Sequence, residues 1–238
     1  EIVYSKDQLI DYISRSADVT EGHPILIDEF LEDAFEFDVD ALCDGEEVHV
    51  GGVMQHIEEA GIHSGDSACV LPPYRIKTDA LDQIVRITND LAIELNVLGL
   101  INIQFAYKEG KIYVLEVNPR ASRTIPFVSK TTNIPLARIA AQIATGKKLK
   151  DFNLPPWDMH NHVAVKEAVL PFNKFPEESI FLSPEMKSTG EVMGISNTFG
   201  ESFKRAIISS GNKIFYKGTV FFSINDPDKM NAIPIARD

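Results

Sequence analysis

The sequence predicts an α+β fold in which helices flank an antiparallel sheet, and two hairpins and one amphipathic stripe carry that prediction. In the first hairpin, acids and apolar residues alternate over 36–43, Asp44-Gly45 signals a tight turn, and 47–54 pairs back. The second occupies 99–118, with apolar-rich strands on either side of Lys108-Glu109-Gly110. Between them a helix over 79–96, capped by Thr78, places Leu81, Ile84, Val85, Thr88, Leu91, Ala92 and Leu95 on one core-facing stripe. Strands joined by short turns pair antiparallel, because a parallel pair needs a long crossover.

The remaining elements follow in order. Ile2-Val3-Tyr4 reads as a short strand, and Ser5 caps a helix to about Arg15 with Leu9, Ile10 and Ile13 at helical spacing. Residues 20–23 form a loop, and Pro24-Ile25-Leu26-Ile27 makes a buried strand that delivers Asp28-Glu29-Phe30-Leu31 at its end. The first hairpin is expected to be half-buried, with Asp38 and Asp40 on a solvated face and Gly51-Gly52 at a bulge or close backbone approach. Residues 56–67 form a polar loop whose glycines can turn amides and carbonyls toward a small ligand. Pro135 starts a helix through Ala144 that stops at Gly146, 147–157 is a connector, and 199–209 fits a short helix. Residues 214–224 read as a strand.

Composition narrows the function. With 238 residues, 44% hydrophobic, the chain can bury a large core. A net charge of -12 argues against nucleic acid or an anionic membrane as partner, since both need clustered Lys and Arg. Cys43 and Cys69 sit in apolar sequence without metal-ligand spacing, so reduced, buried thiols and a cytoplasmic setting are expected. There is no signal peptide or spanning apolar run, and Glu1 opens directly onto Ile2-Val3-Tyr4, as in a piece of a longer polypeptide.

Chemistry concentrates at the second hairpin. Ile101, Ile103, Phe105 and Tyr107, then Tyr113, Leu115 and Val117, form one oily face, leaving Asn102, Gln104, Glu116 and Asn118 on the other. A three-residue loop with Gly110 left-handed keeps both faces consistent, with Tyr107 opposite Lys111 and Asn102 opposite Glu116. Gln104, Glu116 and Asn118 then converge as oxygen donors carrying one formal charge, a set suited to magnesium that keeps other positions for phosphate. Arg120 and Arg123 lie directly beyond, and metal plus arginines implies phosphoryl transfer. The bland alternative is a solvated hairpin face followed by a basic loop; the partner-strand glutamine, the matching parity and the second arginine weigh against it.

Gln104, Glu116, Asn118, Arg120 and Arg123 resemble the metal and phosphate end of an ATP-grasp ligase, and 116–130 resembles the large subunit of carbamoyl-phosphate synthase. The His63-Ser64-Gly65-Asp66-Ser67 loop and the string Ser188-Thr189-Gly190-Glu191-Val192-Met193-Gly194 are similar to the second synthetase half of that family, and 163–175 resembles its closing strands. The resemblance implies an ATP-grasp fold over 1–210 and a stub of an allosteric, methylglyoxal-synthase-like domain over 211–238. It implies carbamate phosphorylation by ATP for arginine and pyrimidine biosynthesis, with Mg2+ or Mn2+ on Gln104, Glu116 and Asn118, and Arg120, Arg123 and Asn118 catalytic. Glu29 and Leu31 match the hinge that reads adenine, Glu36 the ribose-binding acid, and Gly61, Ile62, His63 and Ser64 the loop against the nucleotide. Glu36, His56, Ile62 and Ser67 correspond to ligands of K+, although Glu59 stands where the family often has glutamine. Glu58, Asp66 and Glu167 match positions that grip the effector ornithine, and a glutaminase small subunit is the implied partner.

Only the carboxyl-terminal part of one ATP-grasp unit matches, without the upstream basic residues that clamp the triphosphate, so the isolated chain is expected to be inactive. Two alternatives stand beside this reading. Another ATP-grasp ligase such as a biotin carboxylase shares E-x-N-x-R but not the 63–67 loop. A non-catalytic module binding nucleotide, metal or ornithine is the other.

Overall fold

The computed structural model describes residues 2–17, 27–58, 60–158, 161–177 and 179–237. The chain runs α1 (Lys6–Ala17), β1 (Phe35–Asp44), β2 (Val48–His56), β3 (Cys69–Leu71), α2 (Thr78–Glu94), β4 (Leu98–Lys108), β5 (Lys111–Asn118), α3 (Ile125–Thr132), α4 (Leu136–Ala144), β6 (Val163–Val169), β7 (Gly190–Ser196), α5 (Phe199–Ser209) and α6 (Lys229–Arg237). The strands form one sheet in the order β5-β4-β1-β2-β3-β6-β7, and every neighbouring pair is antiparallel.

Both sides of this sheet are covered. On one, Phe37, Val39, Ile101, Ile103 and Phe105 pack with Ile84 and Ala92 of α2. On the other, Leu42, Met54, Leu71 and Leu100 meet Phe127 and Val128 of α3 and Leu136, Ile139 and Ile143 of α4. α5 closes the outer end, with Ala206 against Val70 and Val165. The first hairpin is therefore central and buried through almost its whole length, and Asp38 and Asp40 point into the protein instead of into water. Its turn follows the sequence expectation: Gly45 has φ 85°, and Asp44 Oδ1 accepts from the N–H groups of Glu46 and Glu47 at 2.9 and 2.8 Å.

The second hairpin differs in register. Its loop has two residues, Glu109 and Gly110 at φ 50° and 82°, with Lys108 opposite Lys111 and Tyr107 opposite Ile112. A bulge between Gln104 and Phe105 then shifts the ladder, so Gln104 lies opposite Glu116 and Asn102 opposite Asn118. Near the loop, Ile112 therefore joins the core beside Val117, whereas Leu115 is 46% exposed on the sheet edge.

Other expectations are corrected at the margins. Residues 2–4 form no strand, and the strand over 24–27 falls largely outside the described residues, Ile27 itself being irregular. Ser5 does begin the first helix, its Oγ accepting from Gln8 N at 3.2 Å. α2 has Lys77 rather than Thr78 at its cap, and Leu95 faces solvent. α3 was not anticipated; Pro126 in its first turn suits a helix start, and Asn133 ends it at φ 57°. Residues 214–224 form no strand, and Phe221 is 89% exposed. Among the described residues no helix is long and apolar enough to cross a membrane.

The seat of α5 on the sheet predicts a contrast between two glycines. A Cβ on Gly194 in β7 would stand 2.1 Å from Ser202 O and 2.7 Å from Ala206 N, backbone atoms that cannot turn aside, whereas one on Gly200 meets nothing within 4 Å. Gly194→Ala is expected to destabilise the fold by about 2–3 kcal/mol, while Gly200→Ala is neutral or stabilising by up to about 1 kcal/mol. Urea unfolding midpoints check this, and equal midpoints for the two variants would contradict the packing.

Candidate functional site

Strand register builds the site. Glu116 faces Gln104, Gln104 faces Asp38, and Asn118 faces Asn102, which faces Asp40. Since directly paired residues share a sheet face, the pairing puts these polar groups on one face, and His56, Cys69 and Lys166, which pair in turn and sit two residues from the partner of Asp38, extend them on that face as a staggered row. α3 and α4 cover the apolar half of the same face, leaving the end nearest β5 open.

There a recess of about 130 Å³ is lined by Gln104, Glu116, Asn118, Arg120 and Arg123, together with His63, Ser64 and Gly65 from the polar loop. Gln104 Nε2 donates to Ser64 Oγ at 3.3 Å, and Lys166 Nζ donates to Ser64 O at 3.0 Å, so the loop is held on both its side chain and its backbone. Arg120 Nη1 donates to Ala121 O at 3.0 Å, and Arg123 Nη1 meets Met186 Sδ. Arg123 and Glu191 also border a larger cavity of about 610 Å³, with Lys130, Lys166 and Met193 in its wall. A third recess, of about 470 Å³, lies between α1 and residues 27–30 and includes Glu29, Phe30 and Gly61; Leu31 follows, half-buried. Residues 61–65 thus border both this recess and the polar recess.

Glu36, His56 and the same loop meet at a second point. Glu36 Oε1 accepts from Gly61 N at 3.3 Å, Glu36 Oε2 stands 3.2 Å from His56 Nδ1, and His56 Nε2 lies 3.0 Å from Asp38 Oδ2. His56 Nδ1 is buried and within ion-pair distance of Glu36, but is poorly aligned for a hydrogen bond. Burial works against a charged ring, yet the Cys69 sulfur and the two carboxylates outweigh it and raise the His56 pKa well above its ordinary value. Ser67 is buried beside this cluster, with Oγ donating to His63 O at 3.4 Å, and Ile62 is half-buried between Gly61 and His63.

Glu58 and Glu167 come close to one another. Burial, and then the charge of Glu58, raise the Glu167 pKa, and burial raises that of Glu58, whose Oε2 accepts from Ala68 N at 2.7 Å. Asp66 is committed elsewhere: its two oxygens accept from Lys187 N at 2.7 Å and Ser188 N at 2.8 Å.

Four residues of the row escape a reading of the sequence. Asp38 and Asp40 look like solvent-facing acids of a hairpin, and Glu191 like part of a closing strand. Lys166 carried a signal, since a lone lysine in Val-Ala-Val-Lys-Glu-Ala-Val must be buried with partners if that strand is internal. It is buried, with Ser64 O at 3.0 Å and Glu191 Oε1 at 3.6 Å.

The antiparallel sheet with flanking helices is an ATP-grasp fold. The biotin carboxylase domain of a single-chain bacterial carboxylase superposes on it with a TM-score of 0.58 at 17% identity, over 70% of this chain and 37% of that one, a likeness of fold alone. A family model described as "Carbamoyl-phosphate synthase L chain, ATP binding domain" matches residues 1–152, and the chain belongs to that family. It is 58% identical over 229 residues to the carbamoyl phosphate synthase large chain of Archaeoglobus fulgidus, covering 96% of this chain and 21% of that relative. It is 48% identical over 248 residues to the carbamoyl phosphate synthase large chain, C-terminal section, of Methanocaldococcus jannaschii, covering 100% of this chain and 40% of that relative.

The row also has a pH signature at Asp40. Burial raises its carboxyl from 3.8 to about 6, against hydrogen bonds from Thr124, Ser122 and Asn102 and with the help of the Asp38 charge. A raised carboxylate favours the folded state in its protonated form, so that stability is present below the unfolded value and lost as pH rises through the folded one. Asp40→Asn stays neutral throughout, and its stability relative to wild type is expected to rise by about 2 kcal/mol between about pH 4 and pH 6.5. Urea unfolding at the two pH values checks this; a difference independent of pH would contradict it.

Proposed function

We propose that this chain is part of the ATP-grasp half of a carbamoyl-phosphate synthase large chain that phosphorylates carbamate with ATP. The carrying observation is that Gln104, Glu116 and Asn118 share one recess with Arg120, Arg123 and residues 63–65. That donor set fits a hard divalent cation: the oxygens of one carboxylate and two amides, with no thiol or imidazole contributed by those three positions. Mg2+ or Mn2+ held there supplies charge neutralisation at the β and γ phosphates.

The chain's own residues then divide the work. Glu29 and Leu31 bind the adenine edge at the hinge and Glu36 takes the ribose hydroxyls. Gly61, Ile62, His63 and Ser64 run along the nucleotide from the hinge recess to the polar recess. Asn118, Arg120 and Arg123 orient carbamate so that its oxygen attacks the γ phosphorus, and the arginines stabilise the charge on the transferring group while ADP leaves. Glu36, His56, Ile62 and Ser67 would hold K+, whose charge would offset that of the buried Glu36 and Asp38 carboxylates. Glu58 and Glu167 supply two acceptors for the ammonium of ornithine, with Asp66 in the same loop as the nucleotide residues.

In the same reading, residues 211–238 begin a following allosteric domain, and a glutaminase small subunit supplies ammonia. The product serves arginine and pyrimidine biosynthesis in the cytoplasm, with neither nucleic acid nor membrane as partner.

Arg123→Ala in the full-length synthase tests the assignment. Carbamate phosphorylation is expected to fall by about 10² to 10³ while ATP affinity stays within a few-fold, as when one preorganised transition-state donor is lost. Equal losses of affinity and turnover would make Arg123 a ground-state phosphate clamp.

A further inference from the structure

Residues 119–124 carry both arginines and belong to neither a strand nor a helix. One side chain ties this loop to the sheet. Asp40 is completely buried in β1, and its Oδ1 accepts from Ser122 Oγ at 2.7 Å and from Asn102 Nδ2 at 3.0 Å, while its Oδ2 accepts from Thr124 Oγ1 at 2.5 Å. The two hydroxyls also lie 2.8 Å apart. Ser122 and Thr124 are the immediate neighbours of Arg123, and Asn102 pairs with Asn118 on the hairpin. Three donors from two separate segments therefore meet on one carboxylate.

We infer that Asp40 is a positioning residue for phosphoryl transfer, fixing through Ser122 and Thr124 the backbone from which Arg123 projects and through Asn102 the strand that bears the metal-facing donors. The inference rests on the proposed function, which assigns Arg123 to the transferring phosphate. The physical case is one of leverage. Arg123 is an exposed, long side chain with many rotamers, so its aim depends on the backbone beneath it. An ionised acceptor holds hydroxyl donors more strongly than a neutral one, and here both flanks of the arginine close on the same group. The arrangement lies at the polar recess and does not touch the recess beside residues 27–30 where adenine is placed, so its loss falls on turnover more than on nucleotide binding.

The test compares Asp40→Asn, Thr124→Val, Thr124→Ser and Arg123→Ala in the full-length synthase, with ATP and carbamate turnover as the readout. Asp40→Asn keeps the shape but puts an amide donor against the hydroxyls, and Thr124→Val keeps the volume but removes the donor. Each is expected to lower kcat by about 10- to 100-fold, the cost of a small misplacement of a catalytic group, with KM for MgATP within about threefold of wild type. Thr124→Ser, which returns the hydroxyl, is expected to recover most of the turnover that Thr124→Val loses. Folded variants that keep wild-type kcat while Arg123→Ala is impaired would overturn the inference, as would kcat and KM failing together. If Arg123→Ala itself retains turnover, the functional reading falls instead. Should Asp40→Asn fail to fold, the Thr124 pair decides by the same criteria.

Discussion

A charge placed under a sheet's covering helices must find a counter-charge or hydrogen-bond partners within the protein, since an unsatisfied buried ion costs several kcal/mol. This chain places a row of such groups across one sheet face: Asp38 and Asp40 on β1, His56 on β2, Lys166 on β6. Their partners come from other strands and loops. His56 bridges toward Glu36 and Asp38, Lys166 reaches Ser64 O and Glu191, and Asp40 gathers Asn102, Ser122 and Thr124. Register is thereby pinned on the polar face as firmly as the α2 core pins it on the apolar one, because a one-residue slip would turn every one of these groups into the wrong layer.

The same requirement makes the site. Pairing the buried row consumes loop backbone and loop hydroxyls, which draws residues 61–67 and 119–124 onto the sheet from two directions. Where the row runs out toward the edge strand, Gln104, Glu116 and Asn118 remain with the two arginines around a recess. The proposed site is the open end of a charge network that begins on the central strands.

Sequence reasoning reached the polar face of the second hairpin because the period-2 pattern is local. It missed the register, yet the error cancelled near the site. A two-residue loop followed by a one-residue bulge has the same side-chain parity beyond the bulge as the three-residue loop expected, so Gln104 and Glu116 stayed on one face while Tyr113 and Ile112 exchanged places. Asp38 and Asp40 were misplaced for a different reason: alternation tells which residues share a face, and cannot tell that α3 and α4 will cover it. α3 itself was hidden by Thr131 and Thr132, poor helix formers that here donate their hydroxyls to Phe127 O and Val128 O. Residues 214–224 have strand-like composition but no partner strand among the described residues, and β structure is made by pairing. Lys166 and Glu191 join the site only through the sheet order, which no local pattern contains.

The central claim, that the row ends in a divalent-cation and phosphate site, is tested most directly by anomalous diffraction from crystals of the full-length synthase soaked with Mn2+ and a non-hydrolysable ATP analogue. The account predicts a manganese peak within coordination distance of Gln104, Glu116 and Asn118, with the terminal phosphates facing Arg120 and Arg123. A peak at the buried Asp38, His56 and Cys69 cluster instead, or phosphates bound away from the arginines, would contradict it.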